Sequence, residues 1–140
     1  PFARMYAQAR AMEGVEYVGA LAQPDLAREL RSVSCLAYPN TFAETSCIAV
    51  MEAMAAGCLV ATCARAALPE TLAGFGVTIP PDDDLGAFAG DFVDMLAWLL
   101  PRLDSEAGAF EERLRRQLRH VAATGTWAVR AAEWERALAA

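Results

Sequence analysis

The chain has 140 residues, 56% of them hydrophobic and 21% charged, which is the balance of a packed globular domain and excludes a disordered, low-complexity or collagen-like chain. Twelve arginines and no lysine stand against 18 acidic residues, a net charge of −6. A general nucleic-acid surface is therefore disfavoured, because that affinity comes mainly from a basic face neutralising phosphates.

No stretch holds the roughly 18 unbroken apolar residues of a membrane span, and residues 1–10 lack the charged start and apolar middle of a signal peptide. A cytoplasmic location is expected. The cysteines, Cys35, Cys47, Cys58 and Cys63, are spaced 12, 11 and 5 apart, with one histidine in the whole chain. That spacing contains no CxxC pair, so the thiols read as small buried hydrophobes and no metal site is expected.

In chain order, residues 5–12 read as the end of a helix. Residues 15–19 (VEYVG) read as a short strand ending in glycine. Residues 24–33 form a helix, with Pro24 and Asp25 suited to its first turn and Leu26, Leu30 and Val33 on one face. Residues 35–38 (CLAY) form a buried strand stopped by Pro39-Asn40. Thr45 or Ser46 then caps a helix over residues 47–56, closed by Gly57. Residues 59–63 (LVATC) and 76–79 (GVTI) are two further strands.

Strands and helices in such short alternation predict an α/β fold, a Rossmann-like parallel sheet wound with helices on both faces. After Pro80-Pro81 and the acidic turn Asp82-Asp83-Asp84, which reads as a helix cap, the pattern becomes helical. Leu85, Phe88, Phe92, Leu96 and Leu99 make one apolar stripe. Phe110, Leu114, Leu118 and Val121 make a second, and Trp127, Ala131, Trp134 and Leu138 a third, read as core or domain packing. Pro101 and Gly125 are expected to separate these helices. The organisation expected is a partial sheet domain over residues 1–80 and a helical segment over 81–140 packed on it. Only about 14 residues precede the first strand of this reading, so a first strand is expected to be missing and the parent chain to be longer.

The informative segment is residues 39–62, PNTFAETSCIAVMEAMAAGCLVAT. From residue 47 to 56 the helix is apolar on every side except at Glu52, and a carboxylate there costs several kcal/mol unless a partner or a ligand meets it. Glu44 stands eight positions earlier, at the helix entrance. Between the two acids, Thr45, Ser46, Cys47 and Ile48 offer backbone N–H groups at a helix N-terminus, which suits a phosphate, while a carboxylate can accept two sugar hydroxyls at once. The residues alone leave a second reading open: Glu44 as a solvated loop acid, and Glu52 as a buried acid paired with an arginine such as Arg65.

The string from Glu44 through Glu52, continued as Ala53-Met54-Ala55-Ala56-Gly57-Cys58-Leu59-Val60, resembles the donor-site signature of the family-four, retaining glycosyltransferases of the GT-B fold, the group 1 glycosyl transferases. The likeness extends to the CLAYP run at residues 35–39, to Pro69-Glu70, to GVTIP at residues 76–80 and to Thr126-Trp127. It covers about residues 15–138. The resemblance implies half of a GT-B fold that binds a nucleotide-sugar donor for hexosyl transfer to an acceptor hydroxyl. Glu52 is then similar to the acid that holds the ribose hydroxyls, and Glu44 to the acid near the donor-sugar hydroxyls. Ser46, Cys47 and Ile48 would lend amides to sugar and phosphate. Where much of the family has Gly, an aromatic residue and Gly after the first acid, this chain has Thr45, Ser46 and Cys47.

The resemblance further implies that no cofactor is needed beyond the donor substrate. The acceptor, a glycan, lipid or small molecule, would be bound by an N-terminal domain outside this sequence, with the parent cytoplasmic or peripheral at the inner membrane face. The chain alone is expected to be inactive. The alternative is a non-catalytic Rossmann-like scaffold. Among smaller features, Arg113, Arg115, Arg116 and Arg119 read as a solvated helix face, His120 as a surface residue, and Glu70 as an acid that orients the loop above the nucleotide.

Overall fold

A computed structural model describes residues 2–139. Its centre is a three-stranded parallel sheet in the order β1-β2-β3, with β1 at Cys35–Ala37, β2 at Leu59–Cys63 and β3 at Val77–Ile79. Leu36 pairs with Val60 and Thr62 with Thr78. Every residue of β2 is buried, as a strand covered on both faces requires, which explains why its sequence LVATC is apolar at every position but one. Its one polar side chain, Thr62, is satisfied by donating to the Tyr38 carbonyl at 2.7 Å.

Two helices precede the sheet, α1 at Ala3–Ala11 and α2 at Gln23–Glu29, and α2 runs into a 3-10 turn at Leu30–Ser32. Between them, residues 15–19 do not form the expected strand. Val15, Tyr17 and Val18 are exposed, and the described sheet has no strand beside β1 on its far edge. A β-rich run without a ladder partner has nowhere to place its N–H and C=O groups.

The crossover from β1 to β2 is α3, Ile48–Ala56, and the one from β2 to β3 is the single turn α4, Leu68–Leu72. Helix α3 ends at Gly57, whose φ of +90° is the left-handed conformation that glycine adopts without strain. Gly57 N–H donates to the Met54 carbonyl and Cys58 N–H to the Ala53 carbonyl, the paired bonds of a Schellman close. Gln117 of α6 (Ala107–Thr124) reinforces it: its fully buried amide donates to the Met54 and Cys58 carbonyls, each at 3.0 Å.

Helix α5 spans Leu85–Ser105 and α7 spans Trp127–Leu138. Asp84 begins α5 as expected, its carboxylate accepting from the N–H groups of Gly86 at 2.8 Å and Ala87 at 3.1 Å. Removing this cap by Asp84→Ala should cost about 1 kcal/mol of stability, read as a lowered urea midpoint. Pro101 does not end α5, contrary to the expectation. Phe88, Phe92, Met95 and Leu99 hold the helix against the core up to its last turns, and the chain leaves helical geometry only at Glu106. Packing along one stripe here outweighs the lost N–H of a proline four residues before the end. Gly125 does separate α6 from α7.

The buried residues of β2, α3, α4 and α5 form one hydrophobic cluster, against which Phe110, Leu114 and Val121 of α6 pack. Arg113 corrects another expectation. It does not lie free on a solvated face: its guanidinium donates to the Gly76 carbonyl at 2.7 Å and reaches that of Gly74, and burial lowers its pKa from the ordinary arginine value. Arg115, Arg116 and Arg119 are exposed and pair with Glu111 and Glu112.

All four cysteines are free thiols, with Cys47, Cys58 and Cys63 buried and Cys35 half-buried. Burial pushes the Cys35 and Cys58 thiols above their ordinary range. In the unfolded chain those thiols ionise at about pH 8.5, while the folded ones hold their protons longer. Their contribution is therefore fully present below that range and is lost as pH rises through the raised folded values. The urea midpoint should fall between pH 7 and pH 10.

Candidate functional site

The loops that follow β1 and β2 leave the sheet on its carboxyl edge, the edge where open parallel sheets place their ligands. Residues 38–47 carry the chain from β1 to α3, and four bonds to β2 and its following loop fix them. Tyr38 N–H donates to the Ala61 carbonyl at 2.8 Å, and Thr62 donates back to the Tyr38 carbonyl. The Cys63 thiol donates to the Asn40 carbonyl at 2.9 Å, and Ala67 N–H to the Glu44 carbonyl at 3.2 Å. The Asn40 side chain closes a local turn by accepting from Phe42 N–H at 2.7 Å.

Helix α3 begins at Ile48 with Cys47 as its N-terminal flanking residue, and no side chain caps it. Thr45 and Ser46, expected as caps, are exposed and do not fill that role. The first-turn amides are therefore left for another acceptor. The helix is also not enclosed on every side. Val50, Ala53 and Met54 are buried, but Ile48 is 65% exposed and Met51 39%, so one face lines open space.

That face borders a groove of about 730 Å³, within the size range of small-molecule sites. Thr45, Ser46, Ile48, Met51 and Glu52 line one wall, Glu70 and Thr71 of α4 the end, and His120 and Thr124 of α6 with Trp127 and Arg130 of α7 the other wall. Glu52 also borders a smaller cleft of about 210 Å³ between α2 and α3, with Gln23, Leu26 and Leu30. It is half-buried and accepts from the Gln23 amide. Arg65 is not its partner; that guanidinium meets Asp83 at 3.2 Å and the Asp82 carbonyl at 3.1 Å.

Of the candidate site residues singled out in the sequence, the groove brings together Thr45, Ser46, Ile48, Glu52 and Glu70. Glu44 and Cys47 are not among its lining residues. Cys47 is buried, while Glu44 is half-buried and accepts from the Tyr38 hydroxyl at 2.6 Å. That bond is the leading reason why the Tyr38 phenol is pushed well above the ordinary tyrosine range, with burial next. Sequence reasoning missed both partners, Tyr38 and Gln23.

It also misplaced His120, while of the core or domain packing expected for the tryptophans the core of this chain supplies none. His120 is half-buried, its ring 5.4 Å from that of Phe75 and its face on the groove. The apolar stripe of α7 does not pack inward: Trp127 is 88% exposed, Trp134 68% and Leu138 80%. An apolar stripe at helical spacing reports only that one face shuns water, not that this chain covers it.

A parallel sheet with crossover helices, and a groove at the head of the helix that carries Glu52, define a Rossmann-like half of a GT-B fold. The family model of the group 1 glycosyl transferases matches residues 2–97, from α1 into α5, and the chain belongs to that family. No curated protein and no solved structure gives a significant match. Among the described residues no helix is long and apolar enough to cross a membrane.

Proposed function

We propose that the chain is the nucleotide-sugar-binding half of a retaining hexosyltransferase, with the donor lying along α3. Residues 1–80 would form the nucleotide-sugar-binding unit and 81–140 the helical segment that completes its outer wall. The single observation that carries the reading is that the uncapped first turn of α3 and the carboxylate of Glu52 open on the same groove. The amides of Ser46, Cys47 and Ile48 meet phosphate oxygens, where backbone N–H groups and the positive helix end favour an anion. Glu52, on the next turn, accepts the two ribose hydroxyls, and Glu44, next to Thr45 and just outside the groove lining, accepts hydroxyls of a transferred sugar that extends beyond the groove at that end. Glu70, at the end of the groove, orients the loop above the nucleotide.

In the transfer itself, the acceptor oxygen forms the new bond to the anomeric carbon on the face from which the diphosphate departs. The bond from that carbon to the phosphate oxygen breaks with its electron pair on the phosphate, and the acceptor proton passes to the leaving diphosphate. Preorganised amides stabilise the charge that develops there, the largest contribution a protein makes to such a step. The donor is a substrate, and the reading takes no further cofactor. The acceptor, whether glycan, lipid or small molecule, would come from a domain outside this sequence, in a cytoplasmic parent that is soluble or peripheral to the membrane.

A second reading, a non-catalytic scaffold, draws on Thr45, Ser46 and Cys47, whose side chains stand where bare glycines would allow closer backbone approach. Ligand-observed NMR with UDP, GDP and ADP and their hexose conjugates separates the two. Saturation transfer to one nucleotide class supports the donor site, and no transfer to any of them supports the scaffold.

A further inference from the structure

We infer that Tyr38 is a positioning residue for donor-sugar recognition, its phenol holding one carboxylate oxygen of Glu44 so that the other is presented in a fixed place to a sugar hydroxyl. The inference rests on the donor-site reading above and goes beyond it, because neither the Glu44-to-Glu52 spacing nor the family match gives Tyr38 a role.

The geometry is that of a braced carboxylate. Tyr38 is the residue directly after β1, and both of its backbone polar groups are tied to β2: its N–H donates to Ala61 at 2.8 Å and its carbonyl accepts from Thr62 at 2.7 Å. The ring therefore springs from the stiff edge of the sheet and not from the loop. Its hydroxyl donates to Oε1 of Glu44 at 2.6 Å, at the short end of the O–H···O range. The backbone of Glu44 is held independently, its carbonyl accepting from Ala67 N–H at 3.2 Å. Glu44 is thus fastened at its main chain by the loop after β2 and at its side chain by the residue after β1.

A glutamate on a loop otherwise has several rotamers and loses them on binding a ligand. Here that ordering is complete before the ligand arrives, and Oε2 is the oxygen left to accept. The phenol is suited to the task because a tyrosine hydroxyl, with an ordinary pKa of about 10, stays a donor through the neutral range. A phenol aimed at a carboxylate could be no more than a structural link, so the test must separate placement of Glu44 from support of the fold.

The 140-residue chain and the variants Tyr38→Phe, Glu44→Ala and Tyr38→Phe/Glu44→Ala are each titrated with UDP and UDP-glucose, GDP and GDP-mannose, and ADP and ADP-glucose, with affinity read by ligand-observed NMR. For the nucleotide that binds, the wild type should prefer the hexose conjugate. Tyr38→Phe should lower affinity for the conjugate about fivefold to tenfold and leave affinity for the free diphosphate unchanged. In the Glu44→Ala background the same change should do nothing more, since Tyr38 acts through Glu44.

A Tyr38→Phe chain that keeps the full preference for the conjugate, or loses affinity for both forms equally, overturns the inference. So does an equal loss from Tyr38→Phe with and without Glu44. A wild-type chain that binds neither form overturns the donor-site reading and this inference with it, and shows this before any variant is compared. Should Tyr38→Phe fail to fold, Glu44→Gln, which keeps the shape of the side chain and weakens its pull on the phenol, should show the same selective loss of preference; an unchanged preference there overturns the inference.

Discussion

Replacing Glu52 with alanine is expected to weaken binding of a nucleoside diphosphate hexose by about a hundredfold while leaving the fold intact. The magnitude follows from two hydroxyl bonds to one ionised carboxylate, each contributing about 1.5 kcal/mol or more, with every 1.4 kcal/mol a factor of ten in affinity. Stability is spared because Glu52 is half-buried and borders two clefts. Its one hydrogen-bond partner among the described residues is the exposed Gln23 amide, which water can satisfy once the carboxylate is gone. Glu52→Gln should fall between the two, since it keeps the shape and loses the charge. Isothermal titration beside thermal melts checks the claim. A loss of affinity matched by a loss of melting temperature would mean that Glu52 supports the helix and not a ligand.

Leu99→Ala should be the most damaging of the stability changes, at about 2–5 kcal/mol. Leu99 is fully buried on the last third of α5 and belongs to the same cluster as β2 and α3. Deleting its branched end leaves a cavity between the helical segment and the sheet, lined by residues already fixed by their other contacts. Against a total stability of about 5–15 kcal/mol for a domain, the loss is about a third when both ranges are taken at their middle. Chemical denaturation reads it directly. A cost below about 1 kcal/mol would mean that α5 rests only loosely on the sheet. Because α6 closes one wall of the groove and α5 packs beside it, this substitution should also weaken the groove through the fold, with no contact to a ligand.

The contrast between these two residues shows where the sequence was readable. Strands β1, β2 and β3, the close of α3 at Gly57 and the cap at Asp84 rest on local signals: a short apolar run, a left-handed glycine, a carboxylate within reach of the next amides. Each is decided within a few residues, and each appears where expected. Glu52 was conspicuous for a related reason, as the one acid in an apolar helix, whereas Glu44 precedes that helix and does not line the groove.

What the sequence could not supply is partnership across the fold. Gln23 meets Glu52 over 29 positions, and Arg113 meets Gly76 over 37. No local pattern marks either. Residues 15–19 have the composition of a strand but no neighbour to pair with, and Pro101 has the character of a helix breaker inside a helix held by Phe88, Phe92, Met95 and Leu99. His120 and Trp127 differ from expectation because residues on α6 and α7 become groove wall only when those helices are laid beside α3. Tyr38 reads in the sequence as the last residue of a buried strand. Its hydroxyl gains a role only when the loop folds back to bring Glu44 within 2.6 Å.

The central claim is that the head of α3 is where the donor sits. Amide shift mapping on the isotope-labelled chain tests it most directly, using the nucleoside diphosphate hexose that shows saturation transfer. The largest changes should fall on Ser46, Cys47 and Ile48 and extend to Glu52, one turn further along the helix. Changes confined to the Trp127 and Arg130 end of the groove, or scattered without a focus at α3, would contradict it.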